Sequence, residues 1–524
     1  MLRKRTKLWA AALTASAAVL GSATAAHAAP AGTSTGPSTT TNPYVLPIAD
    51  GVATKSLLTV GDSGSAGNGY EMVGIPDGLG AYRQKGSRDY TLLMNQELNA
   101  TVGAVRRHGQ KGAFVSDYEI DSDSFDVESG RDLIDPGVRF WDYVTQSYGT
   151  TPSSGGVNPR DITDTFPAQV AAFSRLCSSS LTSPGILEGK GRRGYRGQIY
   201  FANEESGSEG RVFGVTTDGQ AQQLPRLGLA SWETTNVADT GTNTTLSIAN
   251  EDGGDGQLWA HVGTKQRTGN PFDQAGLTNG SNYVVDLADE AVDSDSEFRS
   301  VYGKGEEVPF TIGASEEVDW DRSGVRQNAD ALTKGLTLNR IEDGAFDPRN
   351  PDDYYFLTTE GAPGTVPAEP AVSRDGGGLW RLRFEDVSDP SAGGTLELLL
   401  DGSEAPYLNK PDNMAIDRRG NLLIQEDPGN NPQLARIVAY DIHDGDRGVL
   451  AQFDPALFRS ASPGFLTQDE ESSGIIDAAR LIAPGWFLFD AQVHKASADP
   501  AAVEYGQLLA LNVRKFKDVY DIDG

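Results

Sequence analysis

At 524 residues, with 38% apolar residues, 61 Gly and 27 Pro, the chain is too long for one small core and too rich in turn formers for long helices. A formal charge of −29 with only 44 Lys and Arg sets it against partners that are themselves anionic, so neither nucleic acid nor an acidic membrane surface is expected. Multivalent cations are the natural counter-charge, with a plain solvated acidic surface as the alternative for scattered acids.

The chain opens with Arg3-Lys-Arg5-Thr-Lys7, an apolar stretch from Leu8 to Leu20, and small residues up to Ala26-His27-Ala28. This reads as a signal peptide over 1–28, so the protein is expected to be secreted. Losing the four charges of Arg3, Lys4, Arg5 and Lys7 takes −29 to −33. No later apolar run reaches the ~18 residues that cross a bilayer, so no membrane span is expected. Residues 29–45, rich in Thr, Ser, Gly and Pro, read as a flexible leader, and 46–524 as one domain.

From Val52 onward strand-like runs alternate with Gly, Asn and Asp turns. Met72 to Gly78 and Tyr90 to Glu97 come first, followed by an acidic segment from Tyr118 to Gly156 that reads as an insertion. Asp161 to Cys177 has amphipathic spacing and predicts a short helix within Gln169 to Leu176. The lone Cys177 has no partner for an internal disulfide and reads as a buried inert thiol. Strands follow at Ile199 to Ala202, Arg211 to Thr217, Leu246 to Ala249, Gln257 to Val262, Tyr283 to Leu287, Tyr354 to Thr359 and Asn421 to Ile424. Pro455 to Phe458 predicts a second short helix. The chain is therefore all-β with small helical insertions, and radially repeated four-stranded sheets accommodate it: a single large β-propeller of roughly five to seven blades carrying irregular insertions.

One local pattern recurs, an apolar run ending in an amide and then in carboxylates. It reads Tyr90-Thr-Leu-Leu-Met-Asn-Gln-Glu97, Ile199-Tyr-Phe-Ala-Asn-Glu204-Glu205, Leu246-Ser-Ile-Ala-Asn-Glu251-Asp252 and Leu422-Leu-Ile-Gln-Glu426-Asp427. Further acids stand at Glu342-Asp343, Asp412 and the dense run from Asp469 to Asp477. Strands that each finish in an acid can aim those acids at one place, where they repel one another unless a cation intervenes. Hard oxygen donors suit Ca²⁺, which takes roughly 6–8 oxygens, and also Mg²⁺, Mn²⁺ or Fe³⁺. Five His and one Cys offer little for zinc.

Residues 68 to 500 or so resemble the PhoX-type bacterial phosphatases. The resemblance is carried by Asn95-Gln96-Glu97, Phe201-Ala-Asn-Glu204-Glu205, Glu342-Asp343-Gly-Ala-Phe-Asp347-Pro348, Gly378-Leu-Trp380-Arg381-Leu382, and Lys410-Pro-Asp412-Asn413 with Glu426-Asp427. It implies a six-bladed propeller whose channel holds calcium and iron bridged by carboxylates and acts on phosphate monoesters. It further implies Glu204, Glu205, Glu342 and Asp427 as metal ligands, and Glu97, Glu251, Asp412 and Glu470 as ligands or their immediate supports. Arg381 and His494 are implied as phosphate contacts. The family pattern places an iron-binding Cys just before the glutamate pair, where this chain has Asn203, so the resemblance reads that Cys as replaced. The expected function is a secreted, monomeric, metal-dependent phosphatase acting on a small phosphorylated substrate. Two alternatives stand beside it: a calcium-stabilised propeller that binds a ligand or cell surface without catalysis, and a metal-dependent esterase or lactonase.

Overall fold

The computed structural model describes residues 30–312, 317–366 and 372–520. The segment expected to be a signal peptide lies outside these residues. Apolar runs bounded by turns do form antiparallel strands, and they assemble into a β-propeller. Its innermost strands are Pro76–Arg83, Leu176–Leu181, Trp232–Val237, Ile341–Phe346, Pro411–Ile416 and Glu470–Asp477. Each of these touches the next, and the last touches the first, so they close a ring around a central channel.

Each inner strand starts an up-and-down unit. The first continues through Tyr90–Gln96, Phe114–Ile120 and Val127–Asp132, and the second through Ile199–Glu204, Val212–Thr216 and Ala221–Gln223. Counted as hydrogen-bonded sheets, the third and fourth units merge into one of nine strands, because Val308–Ile312 pairs with both Ser281–Leu287 and Gly394–Leu400. The second strands, such as Ile199–Glu204 and Asn421–Glu426, are buried along their whole length. Both of their faces are covered by neighbouring units, which is why they read as continuous apolar runs rather than alternating ones. Six large apolar cores result, one between each pair of neighbouring units.

Several local expectations are corrected. The Thr- and Ser-rich stretch read as a flexible leader is, from residue 30, laid against the barrel of sheets. Thr33–Thr35 pairs in parallel with Val52–Thr59, and Val45–Pro47 joins the fifth unit. Its hydroxyls explain why: Thr39 and Thr40 donate to Asp62, and Ser38 donates to Asp126 at 2.7 Å. Phe114–Ile120 and Val127–Asp132 are ordinary outer strands, so the insertion begins only after Asp132. The predicted helix before Cys177 is absent among the described residues; the chain there bends at 171–172 and bridges from Phe173 to Ala113, and Leu176–Leu181 is an inner strand. Tertiary pairing of Phe173 with Ala113 and of Leu176 with Glu204 overrides the amphipathic spacing. Pro455–Phe458 is helical as expected, capped by the Asp454 side chain on Ala456 N–H. No described helix is long and apolar enough to cross a membrane.

Candidate metal centre

The same backbone device opens every unit. The second residue of each inner strand is Asp77, Cys177, Glu233, Glu342, Asp412 or Glu471. In the first five, the ladder to the neighbouring strand skips that residue and the one after it, so the strand bulges. A bulge re-aims its side chains, and here it turns five acids or thiols out of the sheet and toward the axis. In the sixth unit the irregularity falls later, at Gly474.

The end of each second strand lies alongside. Its last paired residue faces the first residue of the inner strand: Gln96 opposite Pro76, Glu204 opposite Leu176, Glu251 opposite Trp232, Glu426 opposite Pro411. The following residue is Glu97, Glu205, Asp252, Thr359, Asp427 or His494. Its N–H donates to the carbonyl just before the inner strand, on Ile75, Arg175, Ser231, Arg340, Lys410 or Asp469, at 2.9–3.1 Å. Ile75, Arg175, Arg340 and Lys410 hold left-handed backbone with φ of 48–54°. Such strain in non-glycine residues persists where the surroundings over-determine it, as they do at this recurring turn.

The carboxylates of the recurring strand-end pattern thus divide by position. The first of each pair is structural. Arg211 holds Glu204 in a buried two-pronged pair at 2.6 and 2.7 Å, with Ser174 N–H donating as well. Glu251 accepts from Trp259 Nε1 at 2.8 Å and from Gln257 N–H. Arg436 pairs with Glu426 in the same way as Arg211 with Glu204. The second of each pair, Glu97, Glu205 or Asp427, borders the axis.

The bulge residues and these strand-end acids meet. Ligand atoms of Asp77, Glu97 and Cys177 lie within 4.8 Å of one another, as do those of Cys177, Glu205 and Glu233, and those of Glu233, Glu342 and Asp412. Shared members chain the three groups into one layer across the channel. Burial, followed by mutual repulsion, pushes the carboxyls of Asp77, Glu233, Glu342 and Asp412 well above the usual range. Burial and its neighbours raise Glu205 to about 8 and Asp427 to about 7. The Cys177 thiol is pushed up by burial, then by Asp77 and Glu233. Glu233 Oε1 and both carboxylate oxygens of Asp490, which sits beside Asp77, are buried with no hydrogen-bond partner among the described residues.

Cations ring this layer. Arg175 bridges Glu97, at 2.9 Å, and Glu205. Arg340 makes two 2.9 Å bonds to Asp252 and lies 3.3 Å from Glu342. Lys410 lies near Asp427. His494 Nδ1 is 2.8 Å from Glu504, and its Nε2 is 3.6 Å from Glu471. Burial opposes its protonation, yet hydrogen bonds and charges from Glu471 and Glu504 hold its pKa up to about 11, so it is an imidazolium.

Of the sequence-predicted residues, Glu97, Glu205, Glu342, Asp412, Asp427 and His494 are brought to this layer. Glu204 and Glu251 are not; each is held inside its own unit by the bonds above. Glu470 accepts from Ala435 N–H, its burial raising it to about 8, while its neighbour Glu471 faces His494. Arg381 lies on the outer strand Gly378–Phe384 and is spent on Glu397 opposite it and Glu307 at 2.9 Å. Sequence reading missed Asp77, Glu233, Glu471, Arg175, Arg340 and Lys410, and took Cys177 for an inert core thiol. Asn203 does not face the layer: its Nδ2 donates to Ser178 O at 3.0 Å, and its Oδ1 accepts from Thr235 at 3.0 Å.

Fold and site together define a β-propeller with a layer of buried carboxylates and one thiol on its axis, a donor set able to hold metal ions. Residues 212–453 match the family model of alkaline phosphatase PhoX, which bears out over that stretch the resemblance read from the residues. Among solved structures, Pseudomonas fluorescens PhoX in complex with vanadate, a transition state analogue, is similar with a TM-score of 0.60 at 12% identity. The alignment covers 90% of this chain and 98% of that one. The BP39L lectin of Burkholderia pseudomallei aligns over 82% of this chain and 98% of its own, at 11% identity and a TM-score of 0.32. No curated protein matches the sequence.

Proposed function

We propose that the protein is a metal-dependent phosphatase that hydrolyses small phosphate monoesters at the axial layer. The observation carrying this is the convergence of one acid or thiol from successive inner strands, with orphaned buried oxygens at its centre. So many buried like charges are tolerable only when protonated or bound to cations. The donor set fits cations: hard carboxylate oxygens throughout suit Ca²⁺ or Fe³⁺, and Cys177 adds a single thiolate suited to a transition metal such as iron. Asp77, Glu97, Cys177, Glu205, Glu233, Glu342, Asp412 and Asp427 would hold them. When bound, such ions supply Lewis-acid polarisation of a phosphoryl oxygen and a nucleophilic water at neutral pH.

The chain's own contribution is binding and charge. Arg340 and Arg175 present planar donors suited to phosphoryl oxygens, and Lys410 adds an ammonium without a hydrogen-bond partner among the described residues. The His494 imidazolium adds a fourth positive charge, fixed in orientation by Glu504. These groups stand around charge that builds on the phosphoryl oxygens, the interaction that lowers a barrier rather than merely tightening binding. Export from the cell is part of the proposal, resting on residues 1–28.

The test is release of phosphate from an aryl phosphate, beside an aryl ester, with metal content measured on the same sample. Glu342→Gln and Cys177→Ser should each cut phosphate release by about 100-fold or more with the fold retained. Ester cleavage without phosphate release would turn the reading to an esterase. Neither activity with calcium and iron supplied would leave a binding propeller.

A further inference from the structure

The inner strands also end together, and their far ends surround a second mouth of the channel. Three adjoining hollows occupy it, of 240, 350 and 490 Å³. The smallest lies along the inner strands and reaches Asp343; it shares Ala81, Leu181 or Ile416 with its neighbours, so the hollows run into one another. Arg418 and Arg480 line both of the larger two.

These two arginines are exposed, and neither guanidinium has an ion-pair or hydrogen-bond partner among the described residues. Arg83 lines the same wall, with its donors on the carbonyls of Arg88 and Arg480 at 2.6 and 3.2 Å. Four acids line these hollows, and each turns an oxygen back onto backbone; Asp343 accepts from Gly344 N–H. Asp347 accepts from Arg349 N–H, Asp477 from Ala479 N–H and Asp239 from Gly241 N–H. Arg175 and Arg340 at the axis are spent on carboxylates, whereas in this chain of charge −29 Arg418 and Arg480 meet the Asp477 carboxylate only as a nearby charge and keep their donors for the hollows. Pro184, Pro348 and Pro351 stiffen the walls.

We infer that this far mouth is a second oxyanion site, which takes a phosphate group between Arg418 and Arg480, separately from the axial carboxylate layer. Forked guanidinium donors match the tetrahedral oxygens of phosphate, either free or carried on a small ester. The inference does not depend on hydrolysis at the other mouth.

The probe is radiolabelled inorganic phosphate in equilibrium dialysis against the purified full-length protein at low salt. Arg340→Gln, which weakens the axial site, should leave about one phosphate bound per chain. Adding Arg418→Gln and Arg480→Gln should weaken that remaining binding by about tenfold or more. The Arg418→Gln, Arg480→Gln pair alone should leave hydrolytic kcat/KM within about twofold of the unmodified protein. Displacement by glycerol phosphate would identify an ester as the occupant, and failure to displace would identify free phosphate. Phosphate binding indifferent to the two arginines would overturn the site, as would loss of hydrolysis in the pair. Absence of hydrolysis in every variant would count against the phosphatase reading alone.

Discussion

Asn203, which stands at the position the resemblance gives to a cysteine, is spent on backbone and Thr235, whereas Cys177, read as an inert thiol, lies among the axial carboxylates. The residue one before the last paired position of the second strand is an amide in five units: Asn95, Asn203, Asn250, Gln425 and Gln492. Asn95 donates to Cys177 O at 2.6 Å, Asn203 to Ser178 O, Asn250 to Glu342 O, and Gln425 to Ser473 O at 3.1 Å. Bulges free those carbonyls from the ladder, and buried carbonyls need donors, so the amides repair what the bulges break. Gln492 instead reaches Asp77 and Glu97 through its Nε2. Asn203 is one member of this belt, and the thiol sits on the neighbouring strand at Cys177. Asn203→Ala should therefore cost about 1–3 kcal/mol in denaturant unfolding while leaving bound metal unchanged. Cys177→Ser should do the reverse, losing metal in elemental analysis with an unaltered unfolding midpoint in the metal-free state.

At the level of the strand, adjacent acids have opposite duties because successive side chains point to opposite sides. Glu204 points into its unit, where its bond to Arg211 is buried at both ends; Glu205 points to the axis. Glu204→Gln leaves Arg211 buried without its counter-ion and should destabilise by about 3–5 kcal/mol in denaturant titration. Glu205→Gln should retain the unfolding midpoint and lose activity. Equal effects of the two would refute the division. The strand-end pattern was legible in sequence because it follows a continuous apolar run. Of the bulge residues, Glu342 and Asp412 were legible too, but Asp77, Glu233 and Cys177 were not, because Asp77-Gly78 resembles a turn, Glu233 stands in a polar run, and nothing local marks Cys177 as facing its neighbours. A signal was present nonetheless. Arg340-Ile-Glu342, Lys410-Pro-Asp412 and Arg175-Leu-Cys177 each place a cation, an apolar residue and an axial acid or thiol in order, and the last two stand one strand ahead of a strand-end acid, Asp427 and Glu205.

Across the whole molecule, composition and turn chemistry sufficed for the all-β class, whereas which acids meet depended on pairing between distant segments. The pH response also belongs to this scale, since buried histidines sum over the structure. His261 is buried, its Nε2 bonded to Asn279 O at 2.7 Å, and burial lowers it to about 4; burial likewise lowers His108 to about 4. An unfolded histidine takes its proton near pH 6.5, so at these two sites the unfolded state binds more protons between about 6.5 and 4, and their own contribution to stability falls as pH falls through that window, opposite in sign to that of the raised axial carboxyls. His261→Gln removes one such contribution. Relative to pH 7, the variant should lose about 2 kcal/mol less stability at pH 5 than the unmodified protein, read from urea midpoints at the two pH values.

Closure of the ring has a further consequence, in time rather than in space. The sixth unit is completed by Val52–Thr59, which pairs along Glu504–Val513, and Gln507 accepts from Tyr44 N–H across 463 residues of sequence. A ribosome delivers one side of that seam long before the other. Until the last strands emerge, Glu470–Asp477 and Trp486–Ala496 have no outer partner, and Val52–Thr59 waits as an unpaired edge able to recruit another chain. The propeller can therefore finish folding only after Glu504–Val513 has been made. Substitutions along this seam should act first on yield and aggregation during production, before they act on the chemistry at the axis.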